Sequence, residues 1–222
     1  MLTYHHDFPT VYCLWLLPAS PEFELLQKQI KQLAKEAPAD SPSPTFEPHV
    51  TFLSGLSLNA EMETLVSEVR DGLKSWMGDT GINQTLDLKL DAPINGGSFY
   101  TAIIYPIQQD SSSDDDIPGP TSYSKLIAGR SALQARLQRF FQPLPPAQVP
   151  KPYFPHLSLQ YSGLPQDRLG KITREFVQGE RDKGELMEAV RMDRCALMRC
   201  EGETDEWTTV EIYDLKGEVV DK

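Results

Sequence analysis

The sequence predicts an α+β fold made of two similar halves, each with helices between short strands. Two observations predict it: β-prone apolar runs alternate with amphipathic helical segments, and a short motif around a histidine occurs twice. A third observation excludes a doubly wound sheet, because no glycine-rich phosphate loop follows the first predicted strand. We therefore expect a bilobal molecule with two antiparallel sheets, each flanked by helices, around a central cleft that holds one motif per lobe.

The sequence pattern of the first half of the chain predicts four strands and two helices. Residues 11–17, VYCLWLL, form a short apolar run that is typical of a buried strand. Ser20 and Pro21 favour the N-cap and first position of an amphipathic helix that runs to about residue 36. The other elements predicted in this half are a strand at 46–53, a helix with Asn59 as its N-cap, and strands at 85–90 and 98–107.

An acidic segment lies between the two halves. Residues 108–122 hold serine and aspartate runs with almost no apolar side chain, which predicts a flexible loop within one domain of residues 1–222. We interpret it as a surface insertion, with a lid or a regulatory site as the alternative. The elements predicted after it are a helix that includes 126–141, a strand at 154–161, a helix at 166–177, and a hairpin of strands at 190–198 and 207–215.

Charge and composition exclude several classes of protein. The 222 residues include 32 Asp and Glu against 21 Lys and Arg, a net charge of −11, which disfavours binding to duplex nucleic acid or an anionic membrane. The hydrophobic share of 40% excludes a fully disordered chain, and no apolar run is long enough to span a membrane. Three cysteines without paired spacing indicate reduced thiols, so we expect a cytoplasmic monomer.

Two histidines occur in matching sequence contexts. His49 lies in FEPHVTFLSGL and His156 in FPHLSLQYSGL, and both follow the pattern Pro-His-apolar-hydroxyl-apolar with Ser-Gly-Leu shortly after. Residues i and i+2 of a strand share a face, so His49 should point the same way as Thr51, and His156 the same way as Ser158. The apolar residue between each pair should point into a core. Two such strands that face each other would bring two imidazoles and two hydroxyls to one cleft.

This set of side chains suits the hydrolysis of a strained cyclic phosphate. One imidazole can act as general base on water and the other as general acid on the leaving oxygen, each worth about 10²–10⁴-fold in rate. The hydroxyls can donate to phosphoryl oxygens as negative charge develops there. The competing interpretation is a zinc site, but Cys195 and Cys200 do not have ligand spacing to either histidine. We therefore expect neither a metal ion nor another cofactor.

The paired motifs resemble those of the two-histidine (2H) phosphoesterase superfamily. Within it the phrase Phe46-Glu47-Pro48-His49-Val50-Thr51 and the early strand with Leu14-Trp15-Leu16 look like the fungal 2′,3′-cyclic-nucleotide 3′-phosphodiesterases. The residues to which this resemblance implies a role are His49 and His156 as catalytic groups, Thr51 and Ser158 as phosphate contacts, and Tyr161 as a substrate contact. Tyr161 would point away from Ser158 on a regular strand, so a bulge or the end of the strand must redirect it.

The resemblance also implies an activity. Enzymes of this family open nucleoside 2′,3′-cyclic phosphates to 2′-phosphates, and ADP-ribose 1″,2″-cyclic phosphate to the 1″-phosphate, a by-product route of tRNA splicing. The expected partner is thus a small cyclic-phosphate nucleotide. By analogy His156 is the base and His49 the acid. Relatives of the yeast type are associated with the Golgi, but the sequence shows no targeting segment.

Two other functions remain open at this point. A 2′–5′ RNA ligase or oligonucleotide-end phosphodiesterase could use the same repeat, but it requires a basic groove beside the cleft, which the net charge disfavours. A non-catalytic binder of phosphorylated ligands is disfavoured because both motifs are intact. For Phe99 and Tyr100 we favour core packing over stacking on a base, and we interpret Trp15 and the three cysteines as core residues.

Overall fold

The computed structural model describes residues 10–80, 84–110, 121–143 and 152–220. The terminal histidines His5 and His6 lie outside these ranges, and so do residues 111–120 of the predicted acidic loop. The elements confirm a mixed α+β fold. In chain order they are β1 (Thr10–Pro18), α1 (Glu22–Glu36), β2 (Val50–Leu56), α2 (Met62–Thr80), β3 (Leu86–Lys89), β4 (Ile103–Pro106), α3 (Ser122–Arg136), β5 (His156–Gln160), α4 (Gln166–Lys183), β6 (Ala189–Glu201) and β7 (Thr208–Asp214).

The strands form one hydrogen-bonded sheet in the order β3-β6-β1-β2-β5-β4, with β7 paired to β6. Each of these pairs is antiparallel. The segment that follows β3 also contacts β4, at the other end of the strand order. Two isolated bridges join them, Ile94 to Ile104 within β4 and Leu90 to Ile107 just after it, so the two ends of the sheet approach each other. The prediction of two separate sheets is therefore not confirmed, because the two motif strands pair with each other and connect the halves.

The pairing of the two motif strands is short. β2 and β5 share the single registered pair Val50↔Leu157, whereas β5 pairs with β4 at four positions. Val50 and Leu157 are fully buried in the main hydrophobic core, which confirms the predicted direction of the apolar residue in each motif. The motif side chains next to them therefore point to the opposite face of the sheet.

β1 separates two hydrophobic clusters. Its residues Leu14 and Leu16 belong to the main core, which the helices cover, while Cys13 and Trp15 belong to a smaller cluster on the other face of the sheet. The remaining buried members of this smaller cluster are Leu17, Ala196, Met198, Cys200 and Ile212. Alternation along one strand thus places a few apolar side chains on the same face as the motif histidines.

The predicted helices are present, but their caps differ. Pro21 rather than Ser20 occupies the N-cap position of α1, without a side-chain hydrogen bond. At α2 the Glu61 carboxylate, not Asn59, accepts a hydrogen bond from the N–H of Thr64 at 2.7 Å. A carboxylate is favoured there because the helix dipole is positive at its N-terminus. None of the helices in the described ranges is both long and apolar enough to cross a bilayer.

The strands next to the site are shorter than predicted. The segment predicted as a strand at 98–107 begins with a 3₁₀ turn, Phe99–Thr101, and only Ile103–Pro106 pairs as β4. β2 begins directly after His49, and β5 begins at His156. A proline precedes each histidine and has no N–H to donate to a ladder, so the regular strands begin only at or after the histidines.

Candidate active site

Both motif histidines are held by the same local hydrogen bond. The Nδ1 atom of His49 lies 2.6 Å from the carbonyl oxygen of Glu47, and that of His156 lies 2.8 Å from the carbonyl oxygen of Phe154. A carbonyl only accepts hydrogen bonds, so Nδ1 must carry the proton in each ring. In the neutral form of both imidazoles, Nε2 therefore has the free lone pair.

The strand register brings the two motifs together. Val50 pairs with Leu157 in an antiparallel arrangement. Extending this register by one residue in each direction sets His49 opposite Ser158 and Thr51 opposite His156. Directly opposed residues share a face, so each histidine lies beside the hydroxyl of the other motif. The predicted set of two imidazoles and two hydroxyls is therefore brought to one face of the sheet.

His49 lies in an aromatic environment. Its side chain is 4% exposed, its ring stacks on Trp15 at 3.6 Å between centroids, and the ring of Phe46 meets it edge-on at 6.2 Å. The pKa of His49 is lowered to about 4, mainly by burial. The hydrogen bond to Glu47 opposes this effect, and the nearby His156 adds to it. The imidazole of His49 is thus neutral near pH 7, with Nε2 able to accept a proton.

His156 lies in a more open position. Its side chain is half-buried, and its ring lies 5.8 Å from that of Phe154, an exposed aromatic residue. Burial lowers the pKa of His156, and the hydrogen bond to the carbonyl of Phe154 opposes this effect. The histidine of the second motif is therefore accessible to solvent, whereas that of the first motif is covered.

A cavity of about 150 Å³ lies on this face of the sheet. It adjoins His49 and Thr51 of the first motif and Tyr161 near the second. The rest of its lining comes from Cys13, Trp15, Ser54, Tyr100, Cys200 and Trp207. Pockets that enclose a whole small-molecule ligand are usually larger, about 300–1,000 Å³, so this cavity can enclose only part of such a ligand.

The two motif hydroxyls differ in their partners. Ser158 is buried, and its Oγ donates to the carbonyl oxygen of Tyr100 at 2.9 Å, so its only proton is already engaged. The hydroxyl of Thr51 borders the cavity and makes no hydrogen bond to the described part of the chain. Thr51 can therefore donate to a bound phosphate directly, whereas Ser158 must first release Tyr100.

Tyr161 lies at the cavity because β5 ends one residue before it. The alternation of side chains along β5 no longer applies at this position. The first of the two expected causes was a bulge and the second was the end of the strand, and the strand ends here. Its ring stacks on Phe46 at 3.9 Å between centroids. Burial raises the pKa of Tyr161 well above its usual range. The phenol thus stays protonated.

Several cavity residues were not predicted as functional. Trp15 is buried as expected, yet it also stacks on His49. Cys13 and Cys200 are free thiols that border the cavity, and Cys13 Sγ donates to Ser54 Oγ at 3.4 Å. The alternation of β1 was the available signal, because Cys13 and Trp15 share a face. No group of three or more His, Cys, Asp or Glu side chains within the described ranges could hold a metal ion.

A second pocket, of about 350 Å³, adjoins the first. The two share Trp15 and Trp207 as common lining residues. The charged groups of this second pocket are Lys31, Glu47 and Asp205, one cation against two carboxylates. The groove beside the cavity is therefore not basic.

One known family is similar to the first half of the chain. Residues 11–113, slightly less than half of the chain, match the family model described as cyclic phosphodiesterase-like protein, and this stretch contains the first motif but not the second. No curated protein matches the chain. The chain is thus similar to cyclic phosphodiesterase-like proteins over its first half only.

The comparison with solved structures finds distant matches that extend over most of the chain. E. coli LigT in its apo form is 13% identical, with 94% of this chain and 98% of that chain covered and a TM-score of 0.47. E. coli LigT complexed with 3′-AMP is 16% identical, with 93% and 98% covered and a TM-score of 0.48. A structure described as a phosphoesterase is 15% identical, with the same coverage and a TM-score of 0.48.

Proposed function

We propose that this chain is a cyclic phosphodiesterase that opens nucleoside 2′,3′-cyclic phosphates to 2′-phosphates, and ADP-ribose 1″,2″-cyclic phosphate to the 1″-phosphate. The single observation that carries the proposal is the antiparallel pairing of the two motif strands at Val50↔Leu157. It sets two imidazoles with the same tautomer beside two hydroxyls on one face of the sheet. Of these side chains His49 and Thr51 line the cavity, whereas His156 and Ser158 are not among its lining residues. The match to a cyclic phosphodiesterase-like family over residues 11–113 supports the substrate class.

The proposed reaction is acid–base catalysis by the two histidines. One Nε2 takes a proton from water as the water oxygen attacks phosphorus. The bond from phosphorus to the 3′ oxygen breaks, and the second imidazole gives its Nε2 proton to that oxygen. The hydroxyls of Thr51 and Ser158, with the phenol of Tyr161, stabilise the charge that develops on the non-bridging oxygens. Both proton transfers are thus supplied by side chains, and no metal ion is required for them.

Burial favours one assignment of the two roles. A general acid must hold a proton near neutral pH. Burial lowers the pKa of both rings, but that of the buried His49 falls to about 4, whereas His156 is half-buried and open to solvent. We therefore propose His49 as the base and the more open His156 as the acid. This is the reverse of the assignment that the family resemblance implies.

The environment of the cavity favours a small substrate. The lining of the adjoining pocket carries two carboxylates and one lysine, which does not suit a polyanionic chain. A 2′–5′ RNA ligase or an oligonucleotide-end phosphodiesterase is therefore the weaker candidate. A single cyclic phosphodiester carries one negative charge, which the imidazoles and hydroxyls can accommodate.

Product analysis tests the proposal. The purified chain is incubated with 2′,3′-cyclic AMP, and the products are separated by chromatography against 2′-AMP and 3′-AMP standards, with a 2′–5′ linked dinucleotide as a second substrate. We expect 2′-AMP alone from the cyclic substrate and slower cleavage of the dinucleotide. Formation of 3′-AMP, or faster cleavage of the dinucleotide, would contradict the proposal. Tight binding without any product from pH 5 to pH 8 would instead indicate a non-catalytic binder.

A further inference from the structure

The joint between the two motif strands is the shortest pairing in the sheet. β2 and β5 are registered only at Val50↔Leu157, although this joint determines how far apart the two histidines lie. Pro155 lies directly before the first residue of β5 and has no N–H to donate to β2. The backbone alone therefore gives this joint little support on the side of His156.

One side-chain hydrogen bond crosses the same joint. The Tyr153 hydroxyl donates to the carbonyl oxygen of Thr51 at 3.0 Å. Tyr153 lies three residues before His156, and Thr51 lies two residues after His49. The bond therefore ties the start of the second motif to the first motif strand, next to the proposed reaction centre.

Tyr153 is itself held by α3. The guanidinium carbon of Arg130 lies 4.2 Å from the centre of the Tyr153 ring, a distance typical of a cation–π contact. Arg130 Nη1 donates to Gln134 one helical turn further along, while its buried Nε has no hydrogen-bond partner in the described part of the chain. The ring of Tyr153 is thus clamped between a helix and the motif strands.

The chemistry of Tyr153 suits a permanent donor. Its side chain is largely removed from solvent, and this burial raises the pKa of the phenol well above its usual range. The hydroxyl therefore keeps its proton wherever the histidines work. The single proton of its hydroxyl is already donated to the carbonyl oxygen of Thr51, so a direct contact with substrate is not indicated.

We propose that Tyr153 is a positioning residue, which fixes the separation of His49 and His156 by tying the Thr51 carbonyl to the second motif. This inference rests on the proposed function. Misplacement of a catalytic group by about 1 Å can cost about 10²-fold in rate. Loss of the bond should therefore reduce the rate of the chemical step far more than the affinity for substrate.

The test is the variant Tyr153→Phe, which removes one oxygen and keeps the ring under Arg130. Steady-state kinetics with 2′,3′-cyclic AMP should show kcat reduced by about 10–100-fold, KM within about twofold, and a melting temperature lower by only about 2–4 °C. The matched control is Tyr213→Phe, which removes another buried hydroxyl, bonded to Glu211 at 2.6 Å, away from the cavity lining. We expect this control to leave kcat unchanged.

A wild-type kcat in Tyr153→Phe would overturn the inference, and so would an equal loss of kcat in the Tyr213→Phe control. If Tyr153→Phe does not fold, the variant Arg130→Gln replaces it, because this change keeps the hydroxyl and removes the cation. Its kcat should then fall by several-fold with KM unchanged, and an unchanged kcat would again overturn the inference. An inactive wild-type chain would refute the proposed function itself, so the two failures are distinguishable.

Discussion

The two motifs have nearly the same sequence but opposite surroundings. His49 is covered by Trp15 and Phe46 and is 4% exposed, whereas His156 is half-buried beside the exposed ring of Phe154. Their local geometry is the same, since each Nδ1 donates to the carbonyl two residues earlier. A short motif thus fixes the tautomer and direction of an imidazole, while its protonation depends on what packs around it.

The parts of the repeat that follow the motifs also differ. Gly55 lies inside β2 with φ of +95°, close to an irregularity in the pairing of β1 with β2, so this position requires a residue without a side chain. In the second half the corresponding segment, residues 162–164, lies in the loop after β5, where Ser162 Oγ accepts from the N–H of Leu164 at 3.2 Å. The same Ser-Gly-Leu phrase therefore shapes a strand in one half and a turn in the other.

The largest expected effect is the loss of either imidazole. His49→Ala and His156→Ala should each reduce kcat for 2′,3′-cyclic AMP by about 10²–10⁴-fold. They should differ in stability, because removal of the buried ring under Trp15 costs about 1–3 kcal/mol, while the open site costs less than about 0.5 kcal/mol. Kinetics and urea unfolding measure the two effects. Near-wild-type turnover in either variant would contradict the mechanism.

A substrate with a better leaving group sharpens the assignment of roles. A 3′-deoxynucleoside 2′-(4-nitrophenyl phosphate) has no neighbouring hydroxyl to attack the phosphorus. Attack of water on it releases nitrophenolate, which needs no proton from a general acid. The ratio of the kcat of His156→Ala to that of wild type should therefore be roughly tenfold or more higher on this ester than on 2′,3′-cyclic AMP. The same ratio for His49→Ala should not rise. Recovery in His49→Ala instead would restore the assignment that the family resemblance implies.

The two hydroxyls should also differ in their effects. Thr51→Val removes a hydroxyl without another partner and should reduce kcat by about 10²-fold. Ser158→Ala removes a hydroxyl already bonded to Tyr100, and its loss should be roughly tenfold, the worth of one ordinary hydrogen bond. Parallel kinetics on the two variants measure this difference. A larger loss in Ser158→Ala would show that the serine releases Tyr100 when substrate binds.

Acid sensitivity of the fold should depend mainly on the first motif. The pKa of His49 is about 4 in the folded chain against 6.5 ordinarily, so between these values the unfolded chain binds more protons. Stability should be complete above pH 6.5 and decrease as the pH falls toward 4, by roughly 3 kcal/mol at most. Urea unfolding at pH 7.5 and pH 4.5 should show less loss of stability in His49→Gln than in wild type. His156→Gln should show a smaller reduction of the loss, because burial lowers the pKa of the more open His156 as well. Equal losses in wild type and His49→Gln would contradict this.

Sequence alone predicted the elements and the motif residues better than their surroundings. Periodicity located α1, β3 and the final hairpin, and the i, i+2 rule predicted that Val50 and Leu157 would point into the core. The pairing of β2 with β5 was not predictable, because it joins residues more than 100 positions apart. The engagement of Ser158 by a backbone carbonyl and the role of Trp15 likewise depend on contacts that only the folded chain creates.

The central claim is that the two motifs form one reaction centre, and a double-mutant cycle tests it most directly. The kcat for 2′,3′-cyclic AMP is measured in wild type, His49→Ala, His156→Ala and the double variant. We predict that the kcat of the double variant lies within about tenfold of the lower of the two single-variant values. The reason is that the effects of groups that act as a unit are strongly non-additive. Losses that multiply in full would show that the two histidines act independently, and would contradict the account.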